Sequence, residues 1–503
     1  MWPRFINRQL VSSFRGVAAR HFGSQHSVAA KLTLTLPTKA SKQAVVDELK
    51  LHRSKVPSQP SGISNGTSDY EAAIFASPDF ATWLEDETFM SSILEALFEE
   101  NIDQRANSRG GINVLSAVAD GLTPKQLFGK PQTGFSVLYG SNPILPDLWN
   151  DKEFGSNVDR DNESSVSFIS RPLPGSIGQL ETTLPLANTI FQNGRLSTLF
   201  ASKWQRSNNK SLTLNAMREK ISQTIRPSID RVDHTYPLLP LLPLTPPRKV
   251  VAGLGNIVRQ VEINGSATPA SKELEGLIPK VFDVRTKLDE SYTPRPIGVW
   301  CWVIPPNVVD EQSLSDLKVF RAEPTQSEAE LSLDVMPTFS KLLSSGCRLH
   351  KILSGGGGWG AKQGLLSLDP QTNYYLSDQD DIEMFIKAFQ ERDSPDSYEG
   401  LVTPGSYLMF CIEPHWTQKE ARLSQQLAPI TGLGVAPNND EDANPTNSPD
   451  KIEVIDDHFG IVSKSGIFLK STNEFNLESA RSDSTPRPPF TTKVDVPQAS
   501  LLL

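Results

Sequence analysis

The sequence predicts an α+β fold, with mixed or antiparallel sheets packed against amphipathic helices and joined by disordered linkers and a disordered C-terminal tail. Three observations carry that reading. Short β-type runs bounded by Gly, Pro, Asn or Asp recur along the chain, as at 114–118, 134–139 and 166–169. Between them stand segments whose apolar residues return at helical spacing. The composition, 38% hydrophobic with 38 prolines in 503 residues, leaves room for two or three cores separated by unstructured stretches.

The N-terminus reads as a mitochondrial presequence over residues 1–22. The first acidic residue is Asp47, whereas Arg4, Arg8, Arg15 and Arg20 all precede it. On a helical wheel Ile6, Leu10, Phe14 and Val17 share one face and Arg4, Arg8 and Arg15 the opposite one. Such a helix docks its apolar side in a receptor groove or interface, while each charge responds to a potential worth about 2.3 kcal/mol per 100 mV. Arg20-His21-Phe22 followed by Gly23 resembles a processing-peptidase pattern, which puts cleavage after Phe22. The expected partners are therefore the import and processing machinery, and the expected location is the mitochondrial matrix.

Residues 23–69 are expected as a disordered linker, with a Ser-, Pro- and Gly-rich run from 54. An N-terminal α+β half follows at 70–236. It holds a helix over 87–100, with Met90, Ile93, Leu94, Leu97 and Phe98 on its apolar face, and the three strands above. Asn193-Gly194 between the runs 189–192 and 195–200 predicts a hairpin closed by a two-residue type I′ turn. The proline-rich run 237–247 excludes a helix interior or central strand and reads as an extended connector.

The C-terminal α+β half spans 248–430. Ser271 caps a helix bearing Leu274, Leu277, Ile278, Val281 and Phe282. Strands follow at 297–304, 348–353 and 407–412, with a short helix starting near Pro337 and another over 378–389. Residues 431–450 read as a disordered insertion, 451–470 as a terminal strand pair and 471–503 as a disordered tail. No apolar stretch approaches the ~18 residues that span a bilayer.

Removing residues 1–22, with four arginines and no acid, takes the formal charge from −9 to −13. That balance argues against a broad nucleic-acid footprint, although it leaves room for a local basic patch. Cys301, Cys347 and Cys411 are too few and too scattered for a disulfide framework, so reduced thiols are expected.

The candidate binding segment is glycine-rich. Consecutive Gly355, Gly356, Gly357 and Gly358, then Gly360, leave backbone N–H groups free to curve into an anion nest, and Lys362 adds a charge. The pattern G-x-G-x-x-G is met by Gly355, Gly357 and Gly360, but Gly364 and Pro370 leave little room for the helix that would hold a pyrophosphate. The alternatives are a structural turn packed by Trp359 and a partner-docking loop. Cys347-x-x-His350 and Cys411-x-x-x-His415 have the residue types of a zinc site, but Cys347 and His350 would point to opposite faces of a strand, and no metal is expected. Gly253-Leu254-Gly255 is half a dinucleotide fingerprint and reads better as a glycine bulge; Asp233-His234 and Asp457-His458 have no nucleophile motif beside them.

Leu186-Ala187-Asn188-Thr189-Ile190-Phe191-Gln192-Asn193-Gly194 and the segment GGGGWGAKQGLLSLDP are similar to a family of filamentous-fungal mitochondrial proteins, over about 110–415. The resemblance implies mitochondrial location and a glycine segment that belongs to the fold. It implies no activity, ligand, cofactor or catalytic residue. The expected function is a non-catalytic matrix factor for binding or assembly, in mitochondrial biogenesis or gene expression. The alternative is an enzyme or ligand-binding protein that cradles a phosphate or nucleotide on the glycine segment. Replacing Arg4, Arg8 and Arg15 with Glu is expected to abolish import into isolated mitochondria, and potential-dependent uptake of that variant would refute the presequence.

Overall fold

The computed structural model describes residues 29–55, 70–103, most of 111–355, and 364–374, 402–416, 431–437, 449–472 and 491–503. The described chain is mixed α+β and mostly strand, in four larger sheets and one small hairpin.

The largest open sheet has seven strands, in the order Leu212–Glu219, Leu199–Arg206, Ile112–Val118, Tyr70–Ala76, Gly134–Gly140, Ala30–Thr35 and Glu453–Asp456. Only Tyr70–Ala76 and Ile112–Val118 are parallel. A parallel pair needs a crossover, and the helix Glu87–Asp103 supplies it. Both faces of this sheet are covered, so its strands carry apolar residues on both sides. Ala72, Ile74 and Ala76 turn toward the helices, against Val45, Leu49, Leu94 and Leu97. Ala73 and Phe75 turn the other way, into the larger core that also holds Phe168, Trp300 and Phe410.

Two five-stranded sheets and a closed barrel complete the molecule. One sheet runs Ser222–Ile225, Ser165–Ser170, Gln179–Pro185, Ile467–Thr472, Thr491–Val494; the other runs Tyr236–Leu238, Ser500–Leu502, Thr431–Val435, Phe459–Ser463, Gly121–Leu122. In the barrel, Val299–Ile304, Arg348–Gly355, Leu366–Leu368, Ile257–Ile263, Arg248–Leu254 and Tyr407–Ile412 pair in turn, all antiparallel. Tyr407–Ile412 then pairs with Val299–Ile304 and closes the ring. Closure satisfies edge groups that an open sheet would leave exposed. The helices Lys272–Leu288 and Glu328–Ser344 are joined by a buried ion pair, in which Arg285 Nε and Nη2 donate to Glu328 Oε1 and Oε2 at 2.9 and 2.7 Å.

Several expectations are corrected. Within 23–69, Ala30–Thr35 and the helix Lys42–Lys55 are built into the seven-stranded sheet and its cover, because Leu32, Leu34, Val45 and Leu49 provide a buried face. Thr431–Val435 falls within the expected insertion, and Thr491–Val494 and Ser500–Leu502 within the expected tail. Each supplies apolar residues to the core: Val494, Leu501 and Leu433 are buried. The region 451–470 is not a strand pair. Its strands Glu453–Asp456, Phe459–Ser463 and Ile467–Thr472 enter three different sheets. The division into halves at 237–247 also fails, since one core takes residues from both sides. That proline run is extended and contributes only sheet-edge strands, where a missing donor is harmless.

Pro337 lies inside the helix Glu328–Ser344 instead of starting it. The true start is Ser327, whose hydroxyl accepts from Glu330 N at 3.1 Å, and the helix tolerates the bond lost at Pro337. The expected helix at 378–389 and the rest of the expected linkers lie outside the described residues. Among the described residues no helix is long and apolar enough to cross a membrane.

Buried His458 joins the first strand to the last sheets. Its Nδ1 lies 2.9 Å from Thr33 Oγ1, whose hydroxyl donates to the His458 carbonyl at 3.0 Å. Burial pulls the imidazole down to about 4, since the charged form loses its water. The folded chain therefore binds fewer protons than the unfolded chain between pH 6.5 and 4. The neutral histidine's contribution is whole above 6.5 and is lost as pH falls toward 4, by about 3 kcal/mol. Urea unfolding at pH 6.5 and 4.0 is expected to show a smaller acid loss in His458→Gln than in the natural chain.

Candidate docking site on the Asn188–Ser197 hairpin

The segment 186–198 builds an exposed feature braced by side-chain bonds. Asn188–Thr189 pairs antiparallel with Arg195–Ser197, and a single helical turn, Ile190–Asn193, joins them. Asn188 starts the turn by accepting Ile190 N on Oδ1 at 3.0 Å, an Asx turn. Gly194 ends it at φ 78°, where its N–H donates to Ile190 O at 3.1 Å. This corrects the expected type I′ turn. Only Gly194 takes a positive φ, while Asn193 stays helical with its side chain committed to Glu85 and Thr198.

The bracing is by side chains. Asn193 Nδ2 donates to Glu85 Oε1 at 2.9 Å and to Thr198 Oγ1 at 2.8 Å, and its Oδ1 accepts Arg195 N at 3.3 Å. Thr189 and Thr198 are buried with their hydroxyls 2.8 Å apart, and Thr189 also donates to Arg195 O at 3.0 Å. Arg195 bridges Glu85, at 3.3 Å, and Glu219. On this immobilised turn Phe191 is 97% exposed and Ile190 48%. A shallow recess lined by Leu84, Glu85, Met90, Leu214 and Met217 shares Glu85 with the braces. Phe191 was in the resemblance motif but was not among the expected site residues. Its signal was an apolar pair set between two turn-forming asparagines.

The expected binding residues Gly356, Gly357, Gly358, Trp359, Gly360 and Lys362 lie outside the described residues. The roots of their segment are described. Gly355 ends a barrel strand opposite Leu366, and Gly364, at φ 81°, packs on Pro269 while its carbonyl accepts from Ser271 N at 3.2 Å. The two described ends of the glycine segment thus stand on paired barrel strands, with Gly364 beside the start of the helix Lys272–Leu288. The first turn of that helix carries Glu273 and Glu275, with Glu273 paired to Arg248 at 2.6 Å.

The other motifs resolve as packing. Gly255-Asn256 is the turn between two paired strands, Arg248–Leu254 and Ile257–Ile263, with a register shift at Ala252, and no helix follows. Cys301, Cys347 and Cys411 are buried thiols outside any disulfide among the described residues, and burial drives the Cys301 and Cys411 thiols upward, away from the reactive thiolate. His350 Nδ1 sits 2.8 Å from Asp369 O and His415 Nε2 lies 3.3 Å from Asp289 Oδ2, so the two histidines are drawn to different partners. Among the described residues no group of three His, Cys, Asp or Glu could hold a metal ion. A second charged group surrounds the buried pair: Arg285 Nη2 also donates to Glu413 O, and His415 N to Glu328 Oε2, both at 2.8 Å. Burial raises the Glu413 carboxyl, with Arg295 and Arg285 opposing.

No family model matches the chain, and neither the curated proteins nor the solved structures contain a match.

Because Phe191 buries almost nothing, Phe191→Ala is expected to change unfolding free energy by no more than about 0.5 kcal/mol. Asn193→Ala should cost about 1–2 kcal/mol, since it removes bonds on three partners. Chemical denaturation of both variants checks the contrast.

Proposed function

We propose that this chain is a non-catalytic binding or assembly factor of the mitochondrial matrix, imported by its basic amphipathic N-terminus, and that it docks a protein partner through the Phe191 hairpin. The carrying observation is the fully exposed phenylalanine on a turn held by side-chain bonds at Asn188, Thr189, Asn193, Arg195 and Thr198. Water against an aromatic ring is unfavourable, and burying such a side chain in a partner is worth about 1.5–3 kcal/mol. A flexible tip would lose much of that gain to ordering. A pre-ordered tip retains it, which is why rigid aromatic anchors recur as binding hot spots. The acidic balance of the chain suits a protein partner better than a nucleic acid, and its resemblance to fungal mitochondrial proteins fits the mitochondrial location, with biogenesis or gene expression as the setting.

A second reading, phosphate or nucleotide binding by the glycine segment, is favoured by one observation, the rooting of that segment at a helix start. Glu273 and Glu275 in that first turn oppose it, because they already complement the helix's positive end.

A photo-crosslinker placed at Gln192 in mitochondria is expected to label a discrete partner. That product should disappear when Phe191→Ala is added, with protein level unchanged. Undiminished crosslinking in Phe191→Ala would overturn the docking role.

A further inference from the structure

We propose that one outer face of the barrel rests on the surface of a lipid bilayer with anionic headgroups, without crossing it, as a contact separate from the Phe191 hairpin. The face is formed by Arg248–Leu254 and Ile257–Ile263, with Leu366–Leu368 and Arg348–Gly355 beside them. On it Leu254 is 71% exposed and Leu353 58%, and Val251 and Ile257 are exposed as well. The register sets three of these in one row. Leu254 pairs with Ile257, Ile257 with Ser367, and Ser367 with Ser354, the neighbour of Leu353. Gly255, at φ 57°, turns the chain between Leu254 and Ile257, and a Cβ there would meet no atom within 4 Å, so this tip stands in open space.

The backbone builds this exposure. Val251, between the paired Val250 and Ala252, is the extra residue of a β-bulge, and so is Leu353, between Ile352 and Ser354. A third extra residue, Arg259, stands opposite the step from Ala252 to Gly253. A bulge re-aims the side chain that it inserts, and all three of these are exposed. Charge selects what the face meets. Over 248–261 the chain carries Arg248, Lys249 and Arg259 and no acid, and over 348–355 Arg348 and Lys351 and no acid, in a protein of formal charge −9. Arg248 is paired to Glu273, whereas Lys249 and Arg259 are exposed beside the aliphatic row. Such a face matches an anionic bilayer, where cations meet headgroups and aliphatic side chains enter the boundary with the acyl region. The row holds no aromatic ring, and leucine and valine are under-represented among the hot spots of protein interfaces, so a protein partner fits it less well.

Flotation of the full chain with vesicles of phosphatidylcholine alone, and of phosphatidylcholine mixed with phosphatidylglycerol, tests this. Every protein in the series carries Arg4→Glu, Arg8→Glu and Arg15→Glu, so that the N-terminal helix adds no affinity of its own. The chain should float with the anionic vesicles and not with the neutral ones. Lys249→Ala combined with Arg259→Ala should weaken that binding by about tenfold or more, since each cation at such a surface contributes about fivefold. Leu254→Ser combined with Leu353→Ser should weaken it by a similar factor, with an unchanged melting temperature. The proposal is overturned if anionic vesicles are not preferred, or if either double variant binds them as its parent does. A lowered melting temperature in the Leu254→Ser, Leu353→Ser chain also overturns it, because the row would then be covered by the chain itself. So does a photo-crosslinker at Ser354 that labels a discrete protein in mitochondria instead of lipid.

Discussion

The register of Ala30–Thr35 between Gly134–Gly140 and Glu453–Asp456 is the constraint on which the architecture rests. Along this strand Leu32 and Leu34 face the helices, while Thr33 faces a buried polar seam. Thr33 bonds His458, and Ser136, its cross-strand neighbour, accepts Gly460 N at 3.0 Å. A slip of one residue would put the hydroxyl among Leu49 and Leu94 and the leucines against the seam. Gly134 enforces the register from the partner strand. At φ 136° it approaches the Leu34 carbonyl so closely that any Cβ would collide with it. The seam thus fixes how the seven-stranded sheet meets the sheet that carries Phe459–Ser463.

The barrel is attached by charge as well as by apolar packing. Arg285 and Glu328 are both buried, and desolvation of such a pair is repaid only when the remaining donors and acceptors are used. Here they are, through Glu413 O and His415 N. On another side Trp300 Nε1 donates to Asp495 at 2.7 Å and Lys493 reaches Asp369 at 3.1 Å, so the final strands are tied to the barrel by polar contacts.

Local structure was legible in the sequence wherever short-range periodicity decided it. The helix at 87, the strands at 112, 134, 165 and 407, and the α+β class were legible from local spacing and turn residues, whereas the predominance of strand was not. What was not legible depends on distant partners. Lys42–Lys55 has a weak apolar stripe, and its burial arises where it lies on Glu87–Asp103 and beside Glu453–Asp456. The closing strands Thr491–Val494 and Ser500–Leu502 are too short to stand out beside the prolines and serines that precede them. At the Asn188–Ser197 hairpin, Asn193-Gly194 marked the place of the turn, but Asn193 is held by Glu85, more than a hundred residues earlier. The glycine segment was conspicuous in composition, whereas Phe191 was one phenylalanine among 23 and became notable only through its exposure.

The placement of late strands also bears on how the molecule is made. Three of the four larger sheets take strands from beyond residue 430, and the barrel is not closed until Tyr407–Ile412 is present. A nascent chain on the ribosome therefore holds every sheet incomplete through most of its synthesis. At about 5–20 residues per second, the last hundred residues alone take roughly 5–20 s, during which apolar strand edges are uncovered. With pairings as distant as Thr33 and Ile455, the search for the native topology is slow once the chain is free. The native pairing of these sheets therefore waits for strands that lie beyond residue 406.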